Sequence, residues 1–171
     1  SGPFSLANPP PGTVIHHSPA STGLYIGSPS ICALRDGNYL ASHDYFGPRS
    51  GEHIMAKGRI YQSSDKGTTW KPVCGMDGFF WQNLFVHSGA VYAIGTDKHH
   101  GNLIIRRSTN DGRTWKSSVI APGEWHTAPV PVIEHHGRIW RAVEDAIGGT
   151  KWGERYRARM ISAPAEANLL D

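Results

Sequence analysis

The stretches SSDKGTTW (63–70) and STNDGRTW (108–115) share one pattern of Ser, Asp or Asn, Gly, Thr and Trp, 45 residues apart. In such a pattern the Asp or Asn side chain can accept hydrogen bonds from backbone N–H groups of its own turn, and the glycine supplies a positive φ. The tryptophan then packs the next strand into an apolar layer. The pattern therefore predicts a tight turn between two antiparallel strands at each position.

Three longer segments around these turns align without gaps on Gly37, Gly89 and Gly137. Each has an apolar run, a polar turn that ends in the glycine, and a second run with alternating polarity, which is typical of a β-hairpin. A third strand follows each hairpin, and the first two units add the eight-residue turn and a fourth strand. Four antiparallel strands in about 50 residues is the period of a propeller blade, and no stretch has helical periodicity. The segments are PSICALRDGNYLASHD (29–44), WQNLFVHSGAVYAIGTD (81–97) and PVPVIEHHGRIWRAVED (129–145).

The composition favours a turn-rich β protein. The 171 residues include 20 Gly and 12 Pro, and only 18% are charged, against about 25% in an average soluble domain. The net charge of +3 is too small to indicate a nucleic-acid surface, and no run approaches the roughly 18 apolar residues of a membrane span. Cys32 and Cys74 allow at most one disulfide, and we expect both to be packed free thiols.

The two eight-residue turns resemble the Asp-boxes, or BNR repeats, of the sialidase superfamily, and the resemblance covers about residues 12–162. It implies an all-β fold: a β-propeller of four-stranded antiparallel blades in a ring of six or seven, of which this chain supplies about three. Because three blades leave two open faces, we expect a second chain or missing downstream sequence to complete the ring. Residues 13–19 (TVIHHSP) are a candidate for a ring-closing strand. The predicted divisions are an N-terminal segment at 1–24 and blades at 25–75, 76–122 and 123–171, the last one incomplete.

In a four-stranded blade, the start of the first strand and the end of the second lie at the same end. The eight-residue turns lie at the opposite end, so these starts and ends are predicted to form one functional rim. The residues there combine carboxylates, imidazoles and aromatic rings, a mixture suited to binding and cleaving sugars. The candidate catalytic residues are His43, Asp44, His126 and Glu144, and the candidate substrate-binding residues are Tyr25, Tyr45, Arg49, Trp81, Gln82, Asp97, Lys98 and Trp125.

The stretch at residues 14–48, VIHHSPASTGLYIGSPSICALRDGNYLASHDYFGP, is similar to seven-bladed propeller enzymes that act on rhamnose-α-1,4-glucuronate caps of arabinogalactan. Some of these enzymes are α-L-rhamnosidases and others are lyases. The resemblance implies a catalytic histidine, which carries over to His43, and WHTAPVPV (125–132) is a second phrase of this kind that contains His126. It also implies a secreted or periplasmic protein whose partner is an oligosaccharide or polysaccharide.

The reaction type stays open at the level of the sequence. A uronate lyase needs a base near neutral pKa for the C5 proton, which suits histidine, and a cation for the carboxylate. Candidates for the cation are Arg49, Lys98 and Arg155. A hydrolase would instead use a pair of carboxylates from Asp44, Asp97, Glu144 and Asp145.

Two other functions are kept as alternatives. A sialidase-like exo-glycosidase would need an arginine clamp at the start of the first strand, where this chain has Gly27. A non-catalytic glycan-binding propeller has no need of an imidazole beside a carboxylate. We expect no metal and no cofactor, because adjacent strand residues point to opposite faces and make histidine doublets poor ligands. The doublets are at residues 16–17, 99–100 and 135–136.

Overall fold

The computed structural model describes residues 11–171, and these are almost entirely antiparallel β-structure. One short 3₁₀ turn, Ala20–Thr22, precedes the first strand, and no helix among the described residues is long and apolar enough to cross a membrane. The strands are β1 (Tyr25–Ala33), β2 (Tyr39–Phe46), β3 (Lys57–Ser63), β4 (Lys71–Asp77), β5 (Phe80–His87), β6 (Ala90–Thr96), β7 (Gly101–Ser108), β8 (Lys116–His126), β9 (Ile133–His135), β10 (Arg138–Asp145) and β11 (Arg157–Pro164). The predicted all-β fold is confirmed.

The strands form two sheets. The first has the order β1-β2-β3-β4, and the second has the order β5-β6-β7-β8-β10-β11, with β9 paired to β10. The long strand β8 joins two units of the second sheet: residues 116–121 pair with β7, and Trp125 and His126 pair with Asp145 and Glu144 of β10. The chain thus forms about three adjacent blades, while the predicted blade boundaries stay a prediction.

The N-terminal segment runs along the first sheet. Residues 1–10 lie outside the described part of the chain, and residues 13–19 form no strand in it. The ring of His16 instead packs over the first sheet, 5.4 Å from the ring of His43. The ring-closing role of residues 13–19 stays a prediction, because such a strand would pair with a further blade.

The three glycine-bearing hairpin turns differ in length. Ser88–Gly89 and His136–Gly137 are two-residue turns in which all four residues have positive φ, as such turns favour. The first turn has three residues and is closed by a 2.8 Å bond from Leu34 N–H to the carbonyl of Asn38, with Gly37 at φ 84°. The gap-free alignment is therefore wrong by one residue along the first strand of the first unit.

The main core lies at the seam between the first sheet and the second. Side chains alternate along a strand, so Leu40 of β2 and Ile60 of β3 both face this seam and are fully buried. Cys32 and Cys74 pack against the core as free thiols, as predicted, and burial raises the pKa of Cys32 to about 11. The buried members are Leu34, Leu40, Ile60, Met76, Phe79, Leu84, Val91, Ala93 and Ile104.

Both eight-residue turns have the same hydrogen bonds. In the first turn, Ser63 Oγ accepts from Gly67 N–H at 2.8 Å, and Asp65 Oδ1 accepts from Thr69 N–H at 2.8 Å. The indole N–H of Trp70 donates to the carbonyl of Gly67 at 3.1 Å. The second turn repeats each bond at 2.9 Å, with Asn replacing Asp. Asp and Asn are interchangeable here because a single side-chain oxygen accepts the bond that closes the turn.

Replacing Gly112 with alanine is expected to destabilise the fold more than replacing Gly37. Both residues have positive φ, so each alanine costs about 1–2 kcal/mol of backbone strain. A Cβ at Gly112 would also lie 3.0 Å from Leu40 Cδ1, which adds about 1–3 kcal/mol of crowding, whereas nothing lies within 4 Å of one at Gly37. Urea unfolding of the two variants measures the difference in the free energy of unfolding. Equal decreases would show that Leu40 can move away from the added methyl group without loss of stability.

Candidate active site

One end of the blades gathers the starts of the first strands and the ends of the second strands. Tyr25 pairs with Phe46, and Phe80 pairs with Thr96, at this end. The turns at 63–70 and 108–115 join β3 to β4 and β7 to β8, and so lie at the opposite end. The orientation of the predicted rim is therefore the one that the structure has.

Aromatic and ionisable side chains meet at this end, between the second and third units. The ring centroid of His126 is 4.7 Å from that of Tyr156 and 5.0 Å from that of Trp81. It is also 5.7 Å from the ring of His100 and 5.8 Å from that of His99. We call this group the rim cluster; its members are Trp81, His99, His100, His126, Glu144 and Tyr156.

His126 is held by a carboxylate. Its Nδ1 lies 3.1 Å from Glu144 Oε2, because the two residues are paired across β8 and β10. A carboxylate oxygen accepts, so Nδ1 carries the proton of the neutral ring and Nε2 has the free lone pair. Within residues 11–171, Nε2 makes no hydrogen bond, and the His126 side chain is 21% exposed. A ring nitrogen that is fixed, unprotonated and accessible can act as a general base.

The neighbouring imidazoles are kept neutral. Burial, followed by the charges of His99 and Arg155, lowers the pKa of His100 to about 4. Burial and the nearby His53 also lower the pKa of His99. His100 is therefore uncharged near neutral pH, and its Nε2 lies 3.0 Å from the hydroxyl of Tyr156. This contact fixes the phenol ring beside His126.

Trp81 reaches the rim cluster from a bulge in β5. Between the pairs Phe80–Thr96 and Asn83–Ile94, β5 contains one residue more than β6. Trp81 has φ 56°, in the left-handed region that bulky residues rarely adopt. Its buried Nε1 has no acceptor among residues 11–171. The bulge turns the indole ring toward His126 and His99.

Asp44 and Gln82 are completely buried beneath this bulge. Asp44 Oδ2 accepts from the backbone N–H of Trp81 at 2.7 Å, and Oδ1 accepts from Gln82 Nε2 at 3.0 Å. Burial raises the pKa of Asp44 to about 8, an effect that the bond from Gln82 opposes. Both side chains are 0% exposed. Their predicted roles in catalysis and substrate binding stay predictions.

The structure places His43 apart from the rim cluster, on the other face of β2. Its Nδ1 lies 3.3 Å from the carbonyl of Asp44 and therefore donates, and its Nε2 lies 3.2 Å from the hydroxyl of Tyr61. His16 stacks over the ring, and Tyr45 Oη lies 3.3 Å from His16 Nε2. His43 is 4% exposed, and its ring packs against His16, Tyr45 and Tyr61. Its catalytic role stays a prediction.

Replacing His43 with glutamine is expected to reduce the loss of stability in acid. Burial lowers the pKa of His43 from 6.5 to about 4. Between these values only the unfolded chain binds the proton, so this ring lowers the free energy of unfolding as the pH falls from 6.5 to 4. After a discount for screening by nearby solvent, the free energy of unfolding is expected to fall by roughly 1–2 kcal/mol through this ring. Urea unfolding at about pH 7 and about pH 4.5 measures it.

His135→Gln, at an exposed hairpin, is the matched control and is expected to leave the acid response unchanged. A His43→Gln chain that loses as much stability in acid as the unaltered chain would contradict the prediction.

Most of the other predicted binding residues make structural contacts. Tyr25 packs edge-on against Phe46, and Asp97 closes the loop before β7 through Asn102 N–H at 2.9 Å. Trp125 packs into the core between the second and third units. Arg49 is exposed beside Gly23, and Lys98 is half-buried in the loop before β7. Their binding roles stay predictions.

Asp145 is engaged by two arginines. Both carboxylate oxygens accept from Arg157, and Arg159 also contacts Oδ2. The hydrogen bond from Arg157 is the main reason why the pKa of Asp145 lies well below its usual range. Arg155, a candidate for the substrate's carboxylate, is likewise paired with Glu124 and donates to the carbonyl of Ala146 at 2.8 Å. Asp145 and Arg155 are therefore already ion-paired within the chain.

The sequence analysis named Arg49, Lys98 and Arg155 in the loops that enter the third strands but missed His100 and Tyr156 in two of the same loops. His100 and Tyr156 stand directly before β7 and β11, and these strands begin at the same end as the rim. His53 lies in the corresponding loop before β3, with its ring 5.0 Å from that of His99. The sequence signal was the position itself, because a third strand of a blade starts where the second one ends. Within residues 11–171, no group of three or more His, Cys, Asp or Glu side chains is arranged to hold a metal ion.

No protein-family model and no curated protein matches the sequence. Solved structures are similar to it. An α-L-arabinofuranosidase of Fusarium graminearum, with an iminosugar inhibitor, has a TM-score of 0.63 and 15% identity over 84% of this chain and 46% of that one. An α-L-arabinanase of Penicillium chrysogenum, with arabinobiose, has a TM-score of 0.56 and 18% identity over 80% and 45% of the two chains. A Hadza microbial sialidase has a TM-score of 0.59 and 17% identity over 81% and 35%.

This chain spans less than half the length of each of these three proteins. At identities below a fifth, the likeness concerns the fold. The two sheets and their antiparallel connections agree with it. The chain is therefore about three blades of a β-propeller of the kind found in these glycosidases.

Proposed function

We propose that this chain supplies part of the active site of a carbohydrate-active enzyme, with His126 and Glu144 at its centre. The observation that carries the proposal is the 3.1 Å contact between Glu144 Oε2 and His126 Nδ1 beside the rings of Trp81 and Tyr156. The carboxylate fixes the tautomer and stabilises the imidazolium once Nε2 has taken a proton. The two rings offer apolar faces on which a sugar can stack.

The arrangement favours histidine chemistry over a pair of carboxylates from this chain. Asp44 is buried, Asp97 closes a loop, and Asp145 is held by two arginines. Glu144, which is 45% exposed, is the remaining candidate carboxylate, and it binds His126. This supports a base that removes a proton, as a lyase requires, more than the acid and nucleophile of a retaining hydrolase.

As the finer assignment, we propose a terminal rhamnose-α-1,4-glucuronate linkage as the substrate. In the lyase reaction, His126 Nε2 takes the C5 proton of the glucuronate. The electron pair of that C–H bond forms the C4–C5 double bond as the C4–O bond breaks, and the departing rhamnose oxygen takes a proton from the hydroxyl of Tyr156. In the rhamnosidase alternative, His126 would instead activate a water that attacks the rhamnose.

We propose that further blades, from another part of the protein or from a second chain, complete the site. The span of less than half of each compared protein supports this proposal. We propose a secreted or periplasmic location, where plant polysaccharides are met. A protein in which the ring is closed is called the ring-complete protein below.

The test is to incubate the ring-complete protein separately with gum arabic, sialyllactose and arabinobiose, and to analyse the products by mass spectrometry. Rhamnose together with an unsaturated uronate is the expected result and indicates a lyase. Rhamnose together with a saturated uronate indicates the rhamnosidase, and free sialic acid indicates the sialidase alternative. A protein that binds a sugar and releases no product would overturn the enzymatic proposal in favour of a glycan-binding propeller.

A further inference from the structure

The backbone of Trp81 is held in an unfavourable conformation by a built environment. A left-handed φ is normally left to glycine at this bulge position, because a Cβ crowds the following carbonyl. The first unit has the same bulge between Gly27 and Ser30, where Ser28 has φ 50°. The bulge is therefore shared by the first strands of these two units, β1 and β5, and the second unit has a tryptophan at the left-handed position.

Two glycines leave room for the bulge. A Cβ on Gly95 would lie 2.5 Å from the carbonyl oxygen of Phe80 and 3.2 Å from Gln82 Cα. A Cβ on Gly58 would lie 2.2 Å from Gln82 Nε2. Neither glycine has a positive φ, so space is the reason for glycine at both positions. Both β6, which pairs with β5, and β3 of the first sheet, which packs against it, thus leave space for the extra residue.

One buried carboxylate ties the bulge down. Asp44 accepts from Trp81 N–H through Oδ2 and from Gln82 Nε2 through Oδ1. The backbone N–H of Gln82 and the hydroxyl of Ser28 also lie near enough to act on its pKa. Gln82 Nε2 also lies 3.1 Å from the carbonyl of His43, so it links the bulge to β2 of the neighbouring blade. The hydrogen bonds from β2 to the bulge thus come from Asp44 and from the adjacent carbonyl of His43.

We infer that Asp44 is a positioning residue: it holds Trp81 in the left-handed conformation and so fixes the indole ring as a platform beside His126. The platform role rests on the proposed function, whereas the placement of the indole against His126 does not. The first blade thereby shapes a site formed by the second and third, without touching what binds there. Gly58 and Gly95 serve the same end by admitting the bulge.

The test follows the indole N–H resonance of Trp81 in the chain of residues 1–171, assigned by its loss in Trp81→Phe. When His126→Ala is the only substitution, this resonance is expected to shift, because the rings of His126 and Trp81 lie 5.0 Å apart. In the Asp44→Asn background the shift is expected to be largely lost. Asparagine offers one acceptor oxygen for two donors, and its NH₂ group opposes the other donor. Gly95→Ala should give the same loss by a different route.

Two matched controls should keep the full response to His126→Ala. Asp65→Asn makes the same chemical change in a turn whose repeat carries Asn110 with the same bond. Gly75→Ala adds a methyl group on β4, where nothing lies within 4 Å. A substitution that only loosens the fold would reduce the chemical-shift response in the control variants as well. A response lost in Asp44→Asn and Gly95→Ala but kept in the controls is therefore due to the placement of the indole ring.

A folded Asp44→Asn chain that keeps the full shift would overturn the inference. If that variant does not fold, hydrogen exchange of the unaltered chain decides: the Trp81 backbone amide is expected to be strongly protected, and exchange as fast as in an exposed loop would overturn the role of Asp44. An intact response in a ring-complete protein that binds none of the test sugars would refute the proposed function and leave the positioning role standing.

Discussion

His126→Ala in the ring-complete protein is expected to lower kcat by about 10²- to 10⁴-fold, the usual cost of removing a general acid or base. The reason is that Nε2 of His126 has its lone pair directed away from Glu144, at the only imidazole in the rim cluster with a carboxylate on its other nitrogen. The measurement is turnover of gum arabic at saturating substrate, with KM determined separately.

Glu144→Gln is expected to lower kcat as well, with a small change in KM. Glutamine keeps the size of the side chain but removes the charge that stabilises the imidazolium. His135→Ala, at the exposed hairpin at the opposite end, serves as the matched histidine control and should keep full turnover. If His126→Ala keeps its turnover with the fold intact, the base lies elsewhere, and His43 becomes the first candidate.

Phe79→Ala is expected to cost about 3–5 kcal/mol of the free energy of unfolding, which is typical of a fully buried phenylalanine. Phe79 is 0% exposed in the link between β4 and β5, inside the main core, and the guanidinium of Arg106 lies 4.9 Å from its ring. Removing the ring opens a cavity at the seam of two blades and leaves Arg106, whose burial lowers its pKa, without this contact. Denaturant unfolding of the chain measures the loss.

Phe46→Ala is the matched control, because this ring stands at the rim end of β2 with 38% of its surface exposed. It should cost distinctly less than Phe79→Ala. Equal costs for the two variants would mean that the seam between the sheets is not the main source of stability, contrary to the packing of the core.

The repeats predicted the fold because each rests on local chemistry. The turn at 63–70 closes through its own side chains, so no distant contact is needed to specify it. Strand alternation could also have separated His43 from Asp44: neighbours in a strand face opposite sides, and the structure puts them on opposite faces of β2. The prediction that both side chains meet at the rim is at odds with this alternation.

The placement of Tyr156 and His100 needed the structure. Their loops have no repeated pattern, and their approach to His126 depends on how the second and third units pack together. The extra residue in the first hairpin turn was also invisible in an alignment fixed on glycines. It moves the counterpart of Trp81 to Ser28 and so conceals the shared bulge.

The continuous strand β8 has a consequence for how the molecule opens. Because one strand is paired with β7 along most of its length and with β10 at its end, the second and third units share a backbone ladder. The first unit meets them mainly through side chains, with isolated backbone bonds such as the one from His99 N–H to the carbonyl of Glu52 at 2.8 Å. Cooperative unfolding units follow such ladders. Slow amide exchange should therefore show two groups of residues that open separately: the first sheet, and the second sheet with Trp125 and His126 where its two units join. A fluctuation in either the second or the third unit would then reach His126.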